Sequence, residues 1–209
     1  MKILLLLLLI TTLPVATADP IKAAIERFDS IRTYRVTLRS TSGGEREVIR
    51  YYYKKPGFVR MEFVTPHSGA VLVYDPVRKN VRLRPFPSMK SLVMTFDPDS
   101  RFVKSSQGHR VDASDLGALL RLVRKLQKDG TTVSEGNEDM GERKALRVAV
   151  RGKEGASFDG IQGYRLWLDA DSRLPLKVIA YDEAGKVTEE VLMDDLAIDA
   201  PLPEGLFEL

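Results

Sequence analysis

Residue types that carry catalytic or metal chemistry are scarce in this sequence. The chain contains no cysteine and two histidines, His67 and His109. Without cysteine it cannot form disulfides, thiolate metal ligands or a thiol nucleophile. A metal site built from His67, His109 and Asp75 is conceivable, but neither histidine has a second histidine at ligand spacing, which favours ordinary surface histidines. We therefore predict no metal site and no cofactor.

The familiar catalytic motifs are also missing. The sequence contains no Gly-x-Ser-x-Gly, no His-Glu-x-x-His and no phosphate-cradling glycine loop that opens a helix. The adjacent Asp194 and Asp195 fall in an alternating strand pattern, where neighbouring side chains point to opposite faces. Carboxylates from distant strands can still converge, but nothing in the sequence supports an enzyme. We therefore predict a protein that makes and breaks no covalent bond.

The positive signal is apolar surface in a strand pattern. Bulky apolar side chains recur at every second position and predict one sheet face, formed by Ile49, Tyr51, Tyr53, Val59, Met61, Phe63, Val71 and Val73. For any one of these residues a plain hydrophobic core is the alternative. A face this wide under two short helices leaves concave area uncovered, and that area is either collapsed or a hydrophobic ligand cavity; we predict the cavity. The second helix would add to its lining Leu116, Leu119, Leu120 and Val123.

Two helices and two groups of strands must position that face. Asp19 as a capping residue predicts a helix from about 19 to 32, and Ser114 as a cap predicts a second helix that ends before Gly130. Period-two alternation predicts five strands between residues 34 and 84, and four more after residue 144. A further apolar alternation at 92–96 lies in a proline-containing segment, residues 85–112, whose path the sequence leaves open.

An antiparallel sheet of nine or more strands cannot stay flat, because strand twist accumulates. We predict an α+β fold, in which a strongly curved antiparallel sheet forms an incomplete β-barrel and the helices cover its concave side. No repeat or low-complexity linker divides the chain, so residues 19–209 are predicted to form a single domain.

The first eighteen residues have the pattern of an export signal. Lys2 precedes the apolar run 3–10, and Ala16-Thr17-Ala18 has the small-x-small form of a cleavage site. A membrane anchor, the alternative, needs about 20 apolar residues and this run is shorter. We predict cleavage after Ala18 and a periplasmic protein. Export also argues against a nucleic-acid partner.

Charge is distributed unevenly along the chain. Residues 78–128 carry twelve Lys and Arg against four acidic residues, whereas residues 129–209 carry nine against eighteen. The second helix has a basic outer stripe made of Arg121, Arg124, Lys125 and Lys128. This stripe predicts contact with an anionic membrane surface or with an acidic membrane-protein donor or acceptor. Solvated strand and helix faces are the alternative.

Two groups of motifs resemble a known family. The first group resembles the aromatic-x-basic-basic-Pro hairpin of the LolA/LolB/RseB superfamily; it is Tyr51-Tyr52-Tyr53-Lys54-Lys55-Pro56-Gly57, continued through Val59, Met61 and Phe63 to Tyr74. The second group resembles the same superfamily near the end of the chain and consists of Leu166-Trp167-Leu168-Asp169, Leu174-Pro175-Leu176 and the segment from Leu196 to Phe207. Its members are periplasmic lipoprotein carriers and lipid-binding regulators.

The resemblance implies a function and some site residues. Val59, Met61 and Phe63 match cavity-lining positions of the carriers, and Lys55 matches an arginine that hydrogen-bonds their helical lid. Lysine keeps the charge but not the planar fork. The turn at 74–78 lacks the carriers' usual Asp-Gly and indicates an uncharacterised branch. The implied function is carriage or binding of an acylated ligand, lipoprotein or lipid; the alternative is a lipid-sensing regulatory module that binds a protein partner, as RseB does.

Overall fold

The structure is a computed structural model that describes residues 19–89, 91–105 and 108–209. The predicted signal peptide, residues 1–18, lies outside the described residues. In the part of the chain that is described, neither helix has the length and apolar character needed to cross a membrane.

Two helices and eleven strands make up the described fold. The helices are α1 (Pro20–Ser30) and α2 (Leu116–Lys128), and one 3₁₀ turn spans Val111–Ala113. The strands are β1 (Thr33–Ser42), β2 (Glu45–Lys54), β3 (Phe58–Thr65), β4 (Val71–Asp75), β5 (Asn80–Arg84), β6 (Met94–Phe96), β7 (Thr131–Met140), β8 (Arg143–Arg151), β9 (Gly163–Asp169), β10 (Pro175–Tyr181) and β11 (Val187–Ile198).

All eleven strands belong to one antiparallel sheet. Its order is β6-β5-β4-β3-β2-β1-β11-β10-β9-β8-β7, so β6 and β7 are free edges and the sheet does not close into a barrel. The first and last strands pair at the centre and join two meanders, one on each side. This confirms the predicted α+β class and the large, curved, unclosed antiparallel sheet.

Both helices pack against the same face of the sheet, which we call the inner face. The Phe28 ring of α1 lies 5.5 Å from the Tyr53 ring of β2. In α2, Leu120 and Val123 are fully buried in the same apolar cluster as Tyr51. The inner face therefore carries the main core, and burial of its apolar side chains is the main stabilising term.

Strand β4 corrects one part of the predicted inner face. Met61 pairs with Leu72, and Val59 pairs with Tyr74. Cross-strand partners share a face, so Leu72 and Tyr74 lie on the inner face. The prediction for Val71 and Val73 was wrong: both point to the outer face. All five residues of β4 are buried, so its alternation could not indicate which face is inward.

The chain end covers part of the outer face. Arg60 donates from Nη1 to the carbonyl oxygen of Leu206 at 2.8 Å, and Arg82 donates from Nη2 to that of Phe207 at 2.8 Å. Val73 lies between these two arginines in the strand register. The outer position of Val73 is thus compatible with its complete burial.

The beginning of α2 differs by one residue from the prediction. Asp115 is the N-cap, and its carboxylate accepts from the amide of Ala118 at 2.9 Å. Ser114, predicted as the cap, instead donates from its hydroxyl to the carbonyl oxygen of Val111 at 2.7 Å. A serine followed by an aspartate offers two good caps in a row, and the 3₁₀ turn before α2 selects the second.

Gly117 permits the close crossing of the two helices. A Cβ atom at this position would lie 2.2 Å from Cε1 of Phe28, whose ring is buried between α1 and the sheet. No side chain can be added there unless the ring moves.

We therefore expect Gly117→Ala to destabilise the protein, although the same change in an exposed helix stabilises by about 1 kcal/mol. Overpacking should cost about 1–3 kcal/mol in the free energy of unfolding, measured by urea denaturation. In a Phe28→Ala background the ring is gone, and Gly117→Ala should become neutral or stabilising. Equal effects in both backgrounds would contradict the assigned contact.

Candidate functional site: the inner face and its cover

Three elements lie over the inner face, and together we call them the cover: α1, α2 and the described part of residues 97–113. The third element belongs to the segment whose path the sequence left open. Val103 and Val111 are buried in the same apolar cluster as the inner-face strands. Neither valine is part of a periodic pattern, which is why apolar periodicity does not reveal this element.

The cover fills the area that the sequence predicts to be open. The predicted lining residues that are buried on the inner side are Ile49, Tyr51, Tyr53, Val59, Leu116, Leu120 and Val123. Met61, Phe63 and Leu119 are half-buried and pack against the same cluster. A side chain that faced a wide hollow would keep accessible surface, so the described cover is closed over these residues.

One band of the inner face is less well covered. It is formed by six of the half-buried apolar strand residues that pack against the core: Leu38, Met61, Phe63, Leu83, Phe96 and Val191. They lie on β1, β3, β5, β6 and β11. The sequence analysis missed Leu38, Leu83, Phe96 and Val191, although each belongs to a recognised alternation.

Two buried tyrosines fasten α2 to the sheet. The Tyr34 hydroxyl accepts from the amide of Leu116 at 3.1 Å, and the Tyr51 hydroxyl lies 3.2 Å from that of Ser114. Their rings stack with centroids 5.8 Å apart. Burial raises the pKa of Tyr34 and of Tyr51 above the ordinary value, so both remain neutral. The first amide of α2, which has no partner within the helix, is thereby satisfied.

Lys55 fastens α1. Its Nζ donates to the carbonyl oxygen of Asp29 at 2.5 Å, in the last turn of α1. A cation is favourable at this end of a helix because the last carbonyls carry partial negative charge. The position that the resemblance assigns to a lid contact does contact a covering helix.

Half of the basic stripe on α2 is engaged within the cover. Arg121 lies 3.8 Å from carboxylate oxygens of both Asp29 and Asp115. Arg124 pairs with Asp19, which caps α1. Lys125 and Lys128 are exposed. The two arginines therefore tie α2 to α1, which leaves them less available to an external anionic surface than the sequence predicts.

A small cleft of about 30 Å³ lies between the cover and strands β9, β10 and β11, lined in part by His109, Tyr164, Ala180 and Glu189. His109 of the cover lies there with Nε2 3.7 Å from a carboxylate oxygen of Glu189 on β11. Burial raises the pKa of Glu189, and the charge of His109 opposes this rise. Within the described residues, no three His, Asp or Glu side chains are grouped so as to hold a metal ion.

We expect Lys55→Met to loosen the end of α1. The lost hydrogen bond and the lost helix-end charge should lower stability by about 0.5–1 kcal/mol. Hydrogen exchange should accelerate at the amides of the last turn of α1. Lys54→Met is the matched control, because Lys54 is exposed and points to the outer face at the end of β2. Equal effects of the two changes would refute the assigned role.

We expect Glu189→Gln to stabilise the protein at neutral pH. Because its pKa is raised, folded Glu189 holds its proton more tightly than the unfolded chain does. This contributes stability at pH values below the unfolded-state pKa, and the contribution is lost as the pH rises through the folded-state pKa. The variant should therefore melt higher than wild type near pH 7.5, and the difference should shrink towards pH 4. Glu190→Gln is the control, because the neighbouring Glu190 is held in its charged form by a half-exposed ion pair with Lys177 at 2.9 Å. A constant difference across pH would contradict the prediction.

Comparisons with solved structures support the fold. The chain is similar to an uncharacterized conserved protein from Thermus thermophilus, with TM-score 0.57 and 15% identity, covering 91% of this chain and 94% of that one. It is similar to the Mycobacterium tuberculosis lipoprotein LppX, with TM-score 0.54 and 9% identity, covering 88% and 95%. At these identities the likeness establishes the fold alone.

MucB is a third similar structure. In the complex structure of Pseudomonas aeruginosa MucA/MucB, the match has TM-score 0.51 and 18% identity and covers 91% of this chain. The chain spans only 60% of the length of that protein. A search of curated proteins finds no match.

The sequence itself matches a family model. The model is described as the MucB/RseB N-terminal domain, and it matches residues 82–208. This range includes the motifs at 164–207 but not the hairpin at 51–74. The match covers more than half of the chain, which therefore belongs to the MucB/RseB N-terminal domain family, within the LolA/LolB/RseB superfamily that its motifs resemble.

Proposed function

We propose that this protein is a periplasmic carrier or binder of an acylated ligand, a lipoprotein or a lipid, and that it shelters the hydrocarbon chain against the inner face without covalent chemistry. The observation that carries the proposal is the cover: a continuous apolar sheet face lies under a layer that is fastened by a small number of polar contacts at its ends. The predicted export signal and the family support the periplasmic location.

The energetic need for such a protein is large. Removing an acyl chain from a bilayer costs about 0.8 kcal/mol per methylene, or roughly 12 kcal/mol for sixteen carbons. A carrier must therefore offer a surface as apolar as the membrane. The inner face is largely of this kind, with Leu38, Met61 and Phe63 next to a core of aliphatic and aromatic side chains.

Binding requires the cover to move, because its own side chains occupy the inner face. The half-buried band is the region where displacement costs least, since its residues have already kept part of their surface in solvent. The ion pairs of Arg121 and Arg124 join the helices to each other rather than to the sheet. We propose that α1 and α2 lift together and that the acyl chain takes the place of their apolar face.

We expect purified protein to carry lipid when it is prepared without detergent, and to bind a fluorescent fatty acid after delipidation. Met61→Asn should weaken this binding about tenfold, the equivalent of 1.4 kcal/mol. Val48→Asn is the matched control: Val48 is also half-buried, but it lies opposite Arg39 on the outer face and should leave affinity unchanged. Absence of both extracted lipid and fatty-acid binding would refute the proposal.

A regulatory module that grips a protein partner is the second candidate. The family match favours this function. The structure of MucB in complex with MucA(peri) also favours it, because part of that structure has a similar fold. A carrier releases its cargo without a stable protein complex, whereas a regulator co-purifies with its partner in stoichiometric amount. Size-exclusion chromatography of the tagged protein from its native cell distinguishes the two.

A further inference from the structure

The largest exposed apolar side chains near one edge of the sheet lie on turns at both ends of β6. Phe86 and Met89, before the strand, are each 54% exposed, and Phe102, after it, is 64% exposed. Strand β6 has three residues and spans about 10 Å, so both turns border the same edge. We call Phe86, Met89, Leu92 and Phe102 the edge patch; Leu92 is also exposed.

The turns that carry the edge patch are held in place. Met89 donates its amide to the carbonyl oxygen of Phe86 at 3.3 Å, and Leu92 donates to that of Met89 at 3.0 Å. Pro87 packs so closely on Gly69 that a Cβ there would lie 2.7 Å from the proline ring. On the other side of β6, buried Val103 anchors the turn that exposes Phe102. Ordered hydrogen bonds and packing contacts thus hold these apolar side chains in positions exposed to solvent.

Two exposed cations, Arg101 and Lys104, flank Phe102. Arg84, which precedes Phe86, is half-buried and lies opposite Val71 on the outer face. Among the described residues, neither Arg101 nor Lys104 forms an ion pair within 4.0 Å. The nearby Asp99, by contrast, is paired with Arg110. Local positive charge is therefore left without an internal partner, unlike the arginines of α2.

We propose that the edge patch is a docking surface for an anionic lipid bilayer, which Phe86, Met89 and Phe102 enter while Arg101 and Lys104 contact lipid phosphates. Apolar side chains on protruding turns, flanked by cations, suit the interface between head groups and acyl chains. A groove or a long free edge strand would suit a protein partner better than this patch does. With three residues, β6 is too short to pair with a strand of a partner.

The surface goes beyond the proposed function and also has a geometric relation to it. The ring of Phe102 lies 5.8 Å from that of Phe96, which belongs to the half-buried band of the inner face. Apolar surface thus continues from the edge patch to the inner face. A hydrocarbon chain that leaves a bilayer at this edge would meet the least covered part of the inner face first.

Vesicle flotation tests the proposal. The delipidated chain should float with vesicles made of equal parts phosphatidylcholine and phosphatidylglycerol, and not with phosphatidylcholine alone. Raising salt from about 50 to about 500 mM should weaken binding strongly, because it screens the phosphate contacts. The double variant Phe86→Ser/Met89→Ser should bind about tenfold more weakly, since two apolar side chains no longer enter the bilayer.

Val133→Ser is the matched control. Val133 is 55% exposed, and it lies on β7, at the other free edge of the sheet. It should bind as wild type does. A tryptophan placed at Phe86→Trp should shift its emission to the blue on anionic vesicles, and one at Val133→Trp should not.

Three outcomes would overturn the proposal: no binding of wild type to anionic vesicles, equal losses at both sites, or an unshifted Phe86→Trp spectrum. If the wild-type protein does not bind vesicles, and if it co-purifies with a stoichiometric protein partner that the patch variants lose, the surface recognises protein instead. Fatty-acid affinity of the same variants is measured in parallel. Lost vesicle binding with intact fatty-acid binding separates a failure of docking from a failure of the proposed function.

Discussion

The structure depends on one constraint: an open sheet with an apolar face must cover that face with something. Eleven strands in an unclosed arrangement expose more apolar surface than two short helices can protect. Here the third covering element, the described part of residues 97–113, completes the layer and buries Val103 and Val111. The buried tyrosines and the glycine at the helix crossing serve to seat this layer closely on the sheet.

The cover has the mechanical character of a separate unit. Its two helices are joined by side-chain ion pairs and by the close approach at Gly117, whereas the polar links of this helical part to the sheet and its turns are concentrated at Tyr34, Tyr51 and Lys55. Buried neutral hydroxyls hold position without the desolvation penalty of buried charge. Such a layer can be stable when closed and still be displaced by a ligand of equal hydrophobicity, because apolar burial is non-directional.

The sequence predicted most strands because apolar and polar residues alternate clearly where one sheet face contacts solvent and the other is buried. Strands without this contrast between faces were not predicted correctly. Strand β7 is almost wholly exposed and polar, so Thr131–Met140 carries no apolar alternation, and pairing with β8 is the main reason that it forms a strand. Strand β4 is wholly buried, so Val71 and Val73 could not be assigned to a face. The path of 97–113 depends on tertiary packing, and the filled inner face could not be foreseen without it.

The resemblance and the residue patterns captured different parts of the site. Lys55 was found through the family motif alone, because no periodic pattern marks a lysine that reaches a helix end. The half-buried band was available from alternation, yet its lower burial depends on where the cover stops, which is a property of the folded chain. Residues at that margin, where Phe96 lies next to Phe102, connect the core to solvent. The proposed binding of an acyl chain requires such a margin, since a face sealed on all sides would be stable and inaccessible, and an open one would aggregate.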